Sequence, residues 1–179
     1  MPKYIAFLRA INVGSHTVKM DHLRRLFEAL GLSQVETFIA SGNVIFDSPS
    51  RSTKMLEQKI EQHLQKELSY AVATFVRSTS EVVEIAKYNP FAASEMKLES
   101  NLMYVGFLLA TPASGAEKKL ALLTTKVDDF HLKRREVYWL RRRELGESQC
   151  SGAVLEKALG MPATLRNITT IRRIAAKYS

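Results

Sequence analysis

Two clusters of residues carry types and spacings suited to chemistry. Arg9, Asn12 and Gly14, followed by Lys19, stand near the start of the chain, and Arg166, Asn167, Thr169 and Thr170 stand near its end. Guanidinium, ammonium, amide and hydroxyl groups can all donate hydrogen bonds to an oxyanion such as phosphate. A helix N-terminus adds free backbone N–H groups and a partial positive charge, and a glycine turn between strand and helix lets backbone amides approach a ligand closely. Arg166 with its hydroxyl neighbours is read at the mouth of a helix that starts near Ile171, and Arg9 at the end of a buried strand. Neither GxGxxG nor GxxxxGK[ST] is present, so plainer readings stand beside these. Gly14 and Asn12 also suit an ordinary turn, and Thr169 or Thr170 an ordinary helix cap.

Positive charge is concentrated late. Residues 1 to 132 hold 15 Lys/Arg against 14 Asp/Glu, whereas residues 133 to 179 hold 11 against 4. The excess lies in Lys133, Arg134 and Arg135, in Arg141, Arg142 and Arg143, and in Arg172 and Arg173. Such a patch suits an anionic small molecule or nucleic acid. It equally suits a hairpin edge kept from pairing with other molecules. Nothing calls for a metal or a cofactor. The four histidines, His16, His22, His63 and His131, form no HExxH, and Cys150 is the single cysteine. No GxSxG elbow occurs. Asp128 and Asp129, adjacent on a predicted strand, point to opposite faces and cannot act as an acid–base pair. Cys150 is expected to have a lowered pKa if Arg141 to Arg143 meet it in space, and otherwise to be an ordinary thiol.

The elements that would position these residues follow from periodicity. Lys3 to Arg9 reads as a strand apolar on both faces. Met20, Leu23, Phe27 and Leu30 recur at helical spacing, with Gly31 at the stop. Gln34 to Ala40 and Val44 to Phe46 read as paired strands around the Ser41-Gly42-Asn43 turn. A helix carries Leu56, Ile60 and Leu64, and Ala71 to Arg77 is a fourth strand. The order strand, helix, strand, strand, helix, strand predicts an α+β, ferredoxin-like plait. In it the Ser41-Gly42-Asn43 turn is expected at the end of the sheet away from the loop after the first strand.

Ser78 to Glu81 reads as a capping box opening a connecting helix that Asn89-Pro90 ends. The plan then recurs in part: a strand over Leu102 to Leu109, a helix opened by a second capping box at Ser114 to Glu117, and a hairpin around residues 133 to 136. Ser151 caps a helix that stops at Gly160, and a last short helix holds Ile171 and Ile174. The expected organisation is an N-terminal plait over 1–78, a connecting helix and loop over 79–99, and a basic, partial plait-like half over 100–179, a duplication.

The stretches FLRAINVGS, IASGNVIF, KYNPF, REVYWL and ALGMPATLRNITTI together resemble a bacterial family, domain of unknown function 1697, across essentially the whole chain. The resemblance implies a duplicated ferredoxin-like fold and no established activity. Two departures from the family pattern stand out: Ile168 follows Arg166-Asn167 where relatives usually carry an aromatic, and Gln149 follows Ser148 where they tend to carry lysine.

Composition bounds the functional classes. The 179 residues, 46% hydrophobic and 25% charged, exclude collagen-like, low-complexity and largely disordered chains. The first apolar run is five residues long, too short for a signal peptide or a membrane span, so a cytoplasmic protein away from membranes is expected. Three readings of function remain open. The first is a module binding a phosphate-bearing ligand, whether nucleotide, phosphometabolite or nucleic acid. The second is a small enzyme with a cleft between the halves, and the third an interaction protein that dimerises through a sheet edge or the basic hairpin. Val44-Ile45-Phe46 does not match the RNP1 pattern, which weighs against single-stranded RNA on the first sheet.

Overall fold

The computed structural model describes residues 1–12, 16–39 and 42–179. The fold is mixed α+β: two four-stranded antiparallel sheets and, among the described residues, seven α-helices. The chain divides into two compact units, one formed by Met1–Glu84 with Ile174–Ser179, the other by Ile85–Arg173.

In the first unit β1 (Lys3–Leu8), α1 (Met20–Glu28), β2 (Ser33–Thr37), β3 (Asn43–Asp47), α2 (Thr53–Leu68) and β4 (Thr74–Ser78) follow one another. The strands lie in the order β2-β3-β1-β4. Tyr4, Ala6 and Leu8 from one face of β1 join Leu23 and Phe27 of α1 and Ile60 and Leu64 of α2 in the core. Ile5 and Phe7, on the other face, are fully buried as well. This is the two-sided burial that an uninterrupted apolar strand requires. Ser52 starts α2 by accepting a hydrogen bond from Met55 N at 3.2 Å.

The turn before β3 lies beside the end of β1, contrary to the sequence expectation. β3 runs antiparallel to β1 with Phe7 facing Asn43, so the start of β3 meets the finish of β1. Leu8 N donates to Gly42 O at 2.8 Å. Gly42 has φ +79°, and a Cβ there would come within 2.7 Å of Ile11 Cγ2, so the two loops are packed backbone to side chain.

The edge strand β4 is closed by carboxylates. Alternate amides of an edge strand point away from the sheet. Thr74 N donates to Glu61 Oε1 at 2.9 Å, Val76 N to Glu57 Oε2 at 2.9 Å and Ser78 N to Glu81 Oε2 at 2.8 Å. Glu57 and Glu61 stand one turn apart on α2, which aligns them with every second residue of the strand. Glu81 N returns a bond to Ser78 Oγ at 3.2 Å, so the capping box at the start of α3 (Thr79–Lys87) is present.

In the second unit α4 (Ala93–Met96) precedes β5 (Asn101–Leu108), α5 (Ala116–Leu123), β6 (Asp128–Lys133), β7 (Glu136–Arg142), a 3-10 turn at Arg143–Leu145, α6 (Gly152–Leu159), β8 (Ala163–Asn167) and α7 (Ile168–Tyr178). The strand order is β6-β7-β5-β8. Leu108, Leu120, Val137, Trp139, Leu155 and Leu159 make the core beneath α5 and α6.

Three local expectations change here. Ser114 does not cap α5: Gly115 is the N-cap residue at φ +98° with no side-chain bond. Glu117 then falls one place too early for a capping box. Residues 163 to 167, read as the approach to a helix, form the edge strand β8, paired with β5 from Ala163 against Leu108 to Asn167 against Tyr104. The last helix accordingly starts at Ile168 and runs eleven residues. Ser151 does cap α6, accepting from Val154 N at 3.2 Å.

Candidate functional site

Two members of the late cluster, Asn167 and Thr169, come together at the start of α7. Asn167 ends β8, and its Oδ1 accepts from Thr169 N at 2.9 Å, holding the first turn of the helix. A cavity of about 260 Å³ opens there. Asn167, Thr169 and Arg172 line it, together with Lys97 from the segment after α4. Its apolar lining includes Met103, Leu140 and Ile168, all buried. Two acids also border it. Glu95 is already engaged, bonding Arg142 Nε at 2.9 Å through Oε1 and Asn101 Nδ2 at 3.0 Å through Oε2, while Glu99 stands exposed at the rim. The first turn of α7 carries no acidic residue, so the positive end of its dipole is uncompensated from within the helix.

Arg166 stands apart from this lining. It is buried in β8 opposite Val105, and its Nη1 donates to Thr164 Oγ1 at 2.8 Å and to Leu165 O at 2.9 Å. Burial lowers its pKa to about 10, which leaves the guanidinium protonated at neutral pH. Thr170 lies in the first turn of α7, half-buried.

The late basic runs do not converge within the second unit. Lys133, Arg134 and Arg135 sit at the turn between β6 and β7, and Arg141 to Arg143 at the far end of β7. At about 3.3 Å per residue, the length of β7 separates the two groups by roughly 20 Å. Arg142 is neutralised by Glu95 at 2.9 Å and Asp129 at 3.2 Å. Arg143 spends its donors on the carbonyls of Ser100 at 2.8 Å and Glu99 at 3.4 Å. Lys133 Nζ lies 3.7 Å over the Tyr88 ring, a cation–π contact. Arg173 is exposed on α7.

The early cluster belongs to the first unit. Arg9 is exposed just past β1, Asn12 Oδ1 accepts from Val18 N at 2.8 Å, and Lys19 occupies the N-cap position of α1. Gly14 and Ser41 lie outside the described residues. Ala10 at φ +54° holds left-handed backbone within this loop, and Ile39 at φ +58° does so between β2 and β3, a conformation that costs a β-branched residue most.

Arg77, Glu57 and Lys97 were not singled out from sequence, and Asp128 was considered there only as a partner for Asp129. Arg77 and Glu57 form a buried pair, Nη1 to Oε2 3.8 Å. Asp128 is buried and accepts from Trp139 Nε1 and Ser148 Oγ, both at 2.8 Å. A charge inside the apolar run FVRS was the available signal for Arg77; nothing marked Lys97. Cys150 sits beside this carboxylate, and burial with the nearby Asp128 charge raises its thiol to about 11. The condition for a lowered thiol is therefore not met, because the neighbouring charge is negative; Cys150 is the partly buried thiol of the alternative reading. Among the described residues no three His, Cys, Asp or Glu gather as a metal site. None of the described helices is long and apolar enough to cross a membrane.

A family model described as protein of unknown function (DUF1697) matches residues 1–138. The chain belongs to the DUF1697 family. Among solved structures, a conserved bacterial protein from Streptococcus pneumoniae is similar, with a TM-score of 0.70 and 24% identity over 99% of this chain and 98% of that chain. At that identity the likeness carries the fold and nothing about chemistry. No curated protein matches.

Proposed function

We propose that this DUF1697 protein is a cytoplasmic module that binds a small phosphate-bearing ligand at the start of α7. The observation that carries the reading is one cavity, about 260 Å³, where Lys97, Asn167, Thr169 and Arg172 converge over an apolar floor. Its volume is near the low end of ligand pockets, which suits a phosphometabolite or nucleoside monophosphate better than a polymer. The separation of the two basic runs along β7 also favours a small ligand over nucleic acid. A second locus for the same ligand class is the loop carrying Arg9 and Asn12, favoured by the left-handed Ala10 within it.

The same reading treats the two units as copies of one ferredoxin-like plait. Each follows the order strand, helix, strand, strand, helix, strand, and the sheet orders correspond strand for strand. Arg77 and Arg166 occupy corresponding places, opposite Ile5 and Val105 on the first strand of each set.

Thermal denaturation with inorganic phosphate, a sugar phosphate and nucleoside monophosphates tests the function. A ligand at 100 times its Kd stabilises by about 2.7 kcal/mol, which at this chain length is a rise of roughly 5–10 °C in Tm. The rise is expected to vanish in Arg172→Glu and Lys97→Glu. An equal rise in those variants would remove the assignment to this cavity, and no rise with any of the ligands would remove the function.

A further inference from the structure

The sheet edges of the two units are finished differently. The amides of β4 that point outward are capped by three glutamates, whereas the outer edge of β6 is partly open. The turn between β6 and β7 sets Lys133 opposite Glu136, so Lys133, His131 and Asp129 bond inward to β7, while Leu132, Phe130 and Asp128 present their backbone groups outward. Asp128 is satisfied there: its N–H donates to Thr125 Oγ1 at 3.1 Å and its carbonyl accepts from Thr125 N at 2.9 Å. Phe130 N donates to the side chain of Asp129 at 2.9 Å. The N–H and carbonyl of Leu132 and the carbonyl of Phe130 have no hydrogen-bond partner among the described residues. Alongside this edge, between β6 and α5, runs a groove of about 370 Å³, with Leu120, Ala121 and Thr124 on its helical side.

We propose that this edge pairs, antiparallel, with the same edge of a second copy of the chain, His131 lying opposite the partner's His131. The charge pattern of the strand selects that occupant. Asp129-Phe130-His131-Leu132-Lys133 is acidic before its centre and basic after it. Reversed against itself, it places Asp129 opposite the partner's Lys133 and Phe130 opposite the partner's Leu132. Opposite charges directly across a strand pair are stabilising, and like charges destabilising. Phe130 and Leu132 are the residues with outward backbone groups, so this register makes each of them exchange bonds with the other in the partner. A slip of one residue would set outward groups against inward ones, and a slip of two loses both ion pairs.

The side chains agree with the pairing. Asp129, His131 and Lys133 project from one face of the sheet and Phe130 and Leu132 from the other, so every cross-strand partner lies on its own side. Asp129 now covers the Phe130 amide and contacts Arg142. On pairing its carboxylate turns to the partner's Lys133 and the amide passes to the partner strand, while Arg142 keeps Glu95 at 2.9 Å. Two short strands bury far less than the roughly 1,200 Å² of a stable interface, so the dimer is weak and depends on concentration.

Sedimentation equilibrium of the full chain from micromolar to millimolar concentration tests this. The wild type is expected to move from the mass of one chain to that of two. Leu132→Pro, which removes an outward N–H without breaking a bond to β7, and the single variants Asp129→Lys and Lys133→Asp should each raise the dimer Kd at least tenfold. An equimolar mixture of the two charge variants should recover the two-chain mass, because each supplies the charge the other lacks. A wild type that stays one chain throughout would overturn the proposal. So would a dimer that none of the variants weakens, or charge variants that fail to recover on mixing.

Discussion

Cys150 shows how a residue's chemistry is set by what surrounds it. Its thiol is raised to about 11 by burial and by Asp128, whose carboxylate is held in place by Trp139 and Ser148. Alkylation by iodoacetamide should therefore be slow at neutral pH and rise with a midpoint near 11, well above the ordinary thiol range. Replacing Asp128 by Asn should lower that midpoint. The linkage has a definite sign: the folded thiol is the weaker acid, so its share of stability is full below the unfolded pKa and falls as pH climbs through the folded one. The buried Arg77–Glu57 pair makes the complementary prediction. Glu57→Ala removes the carboxylate beside a buried guanidinium and leaves Val76 N–H uncapped, and should cost about 3–5 kcal/mol in urea unfolding. Glu57→Gln keeps an acceptor for that amide and should cost less.

At the scale of elements, periodicity located the helices and strands that bury a stripe. Met20, Leu23 and Phe27, or Leu56, Ile60 and Leu64, leave little choice of period. Elements with few buried residues were not legible. α4 is four residues long with none buried. β8 is five residues ending in Arg-Asn, which reads as a loop because its polar members, Thr164 and Arg166, are buried and bonded to each other. Ser114 misled through spacing alone, since a left-handed Gly115 begins α5 one residue later than a capping box would. The carboxylate-capped edge of β4 was equally hidden, because Glu57 and Glu61 look like exposed helix positions until the strand is laid beside them. Glu61→Ala should cost about 1 kcal/mol, and hydrogen exchange of the Thr74 amide should quicken while those of β1 stay protected.

For the whole molecule, the net charge of +8 says less than its distribution. Arg142, Arg143 and Lys133 are engaged by neighbouring acids, carbonyls and a ring, whereas Lys97 and Arg172 line one cavity at the start of α7. The late cluster was legible as residue types, but Lys97 comes from a segment seventy positions earlier that only the fold brings near. Because few charges are involved, binding of a phosphate ligand should weaken only moderately with salt, unlike the steep dependence of a nucleic-acid binder. The most direct measurement is a titration of the 15N-labelled protein with inorganic phosphate and a nucleoside monophosphate, followed residue by residue. The predicted result is saturable shifts greatest at the amides of Thr169 and Thr170 and at the side chain of Arg172. Shifts confined to the hairpin between β6 and β7, or no saturable shift anywhere, would contradict it.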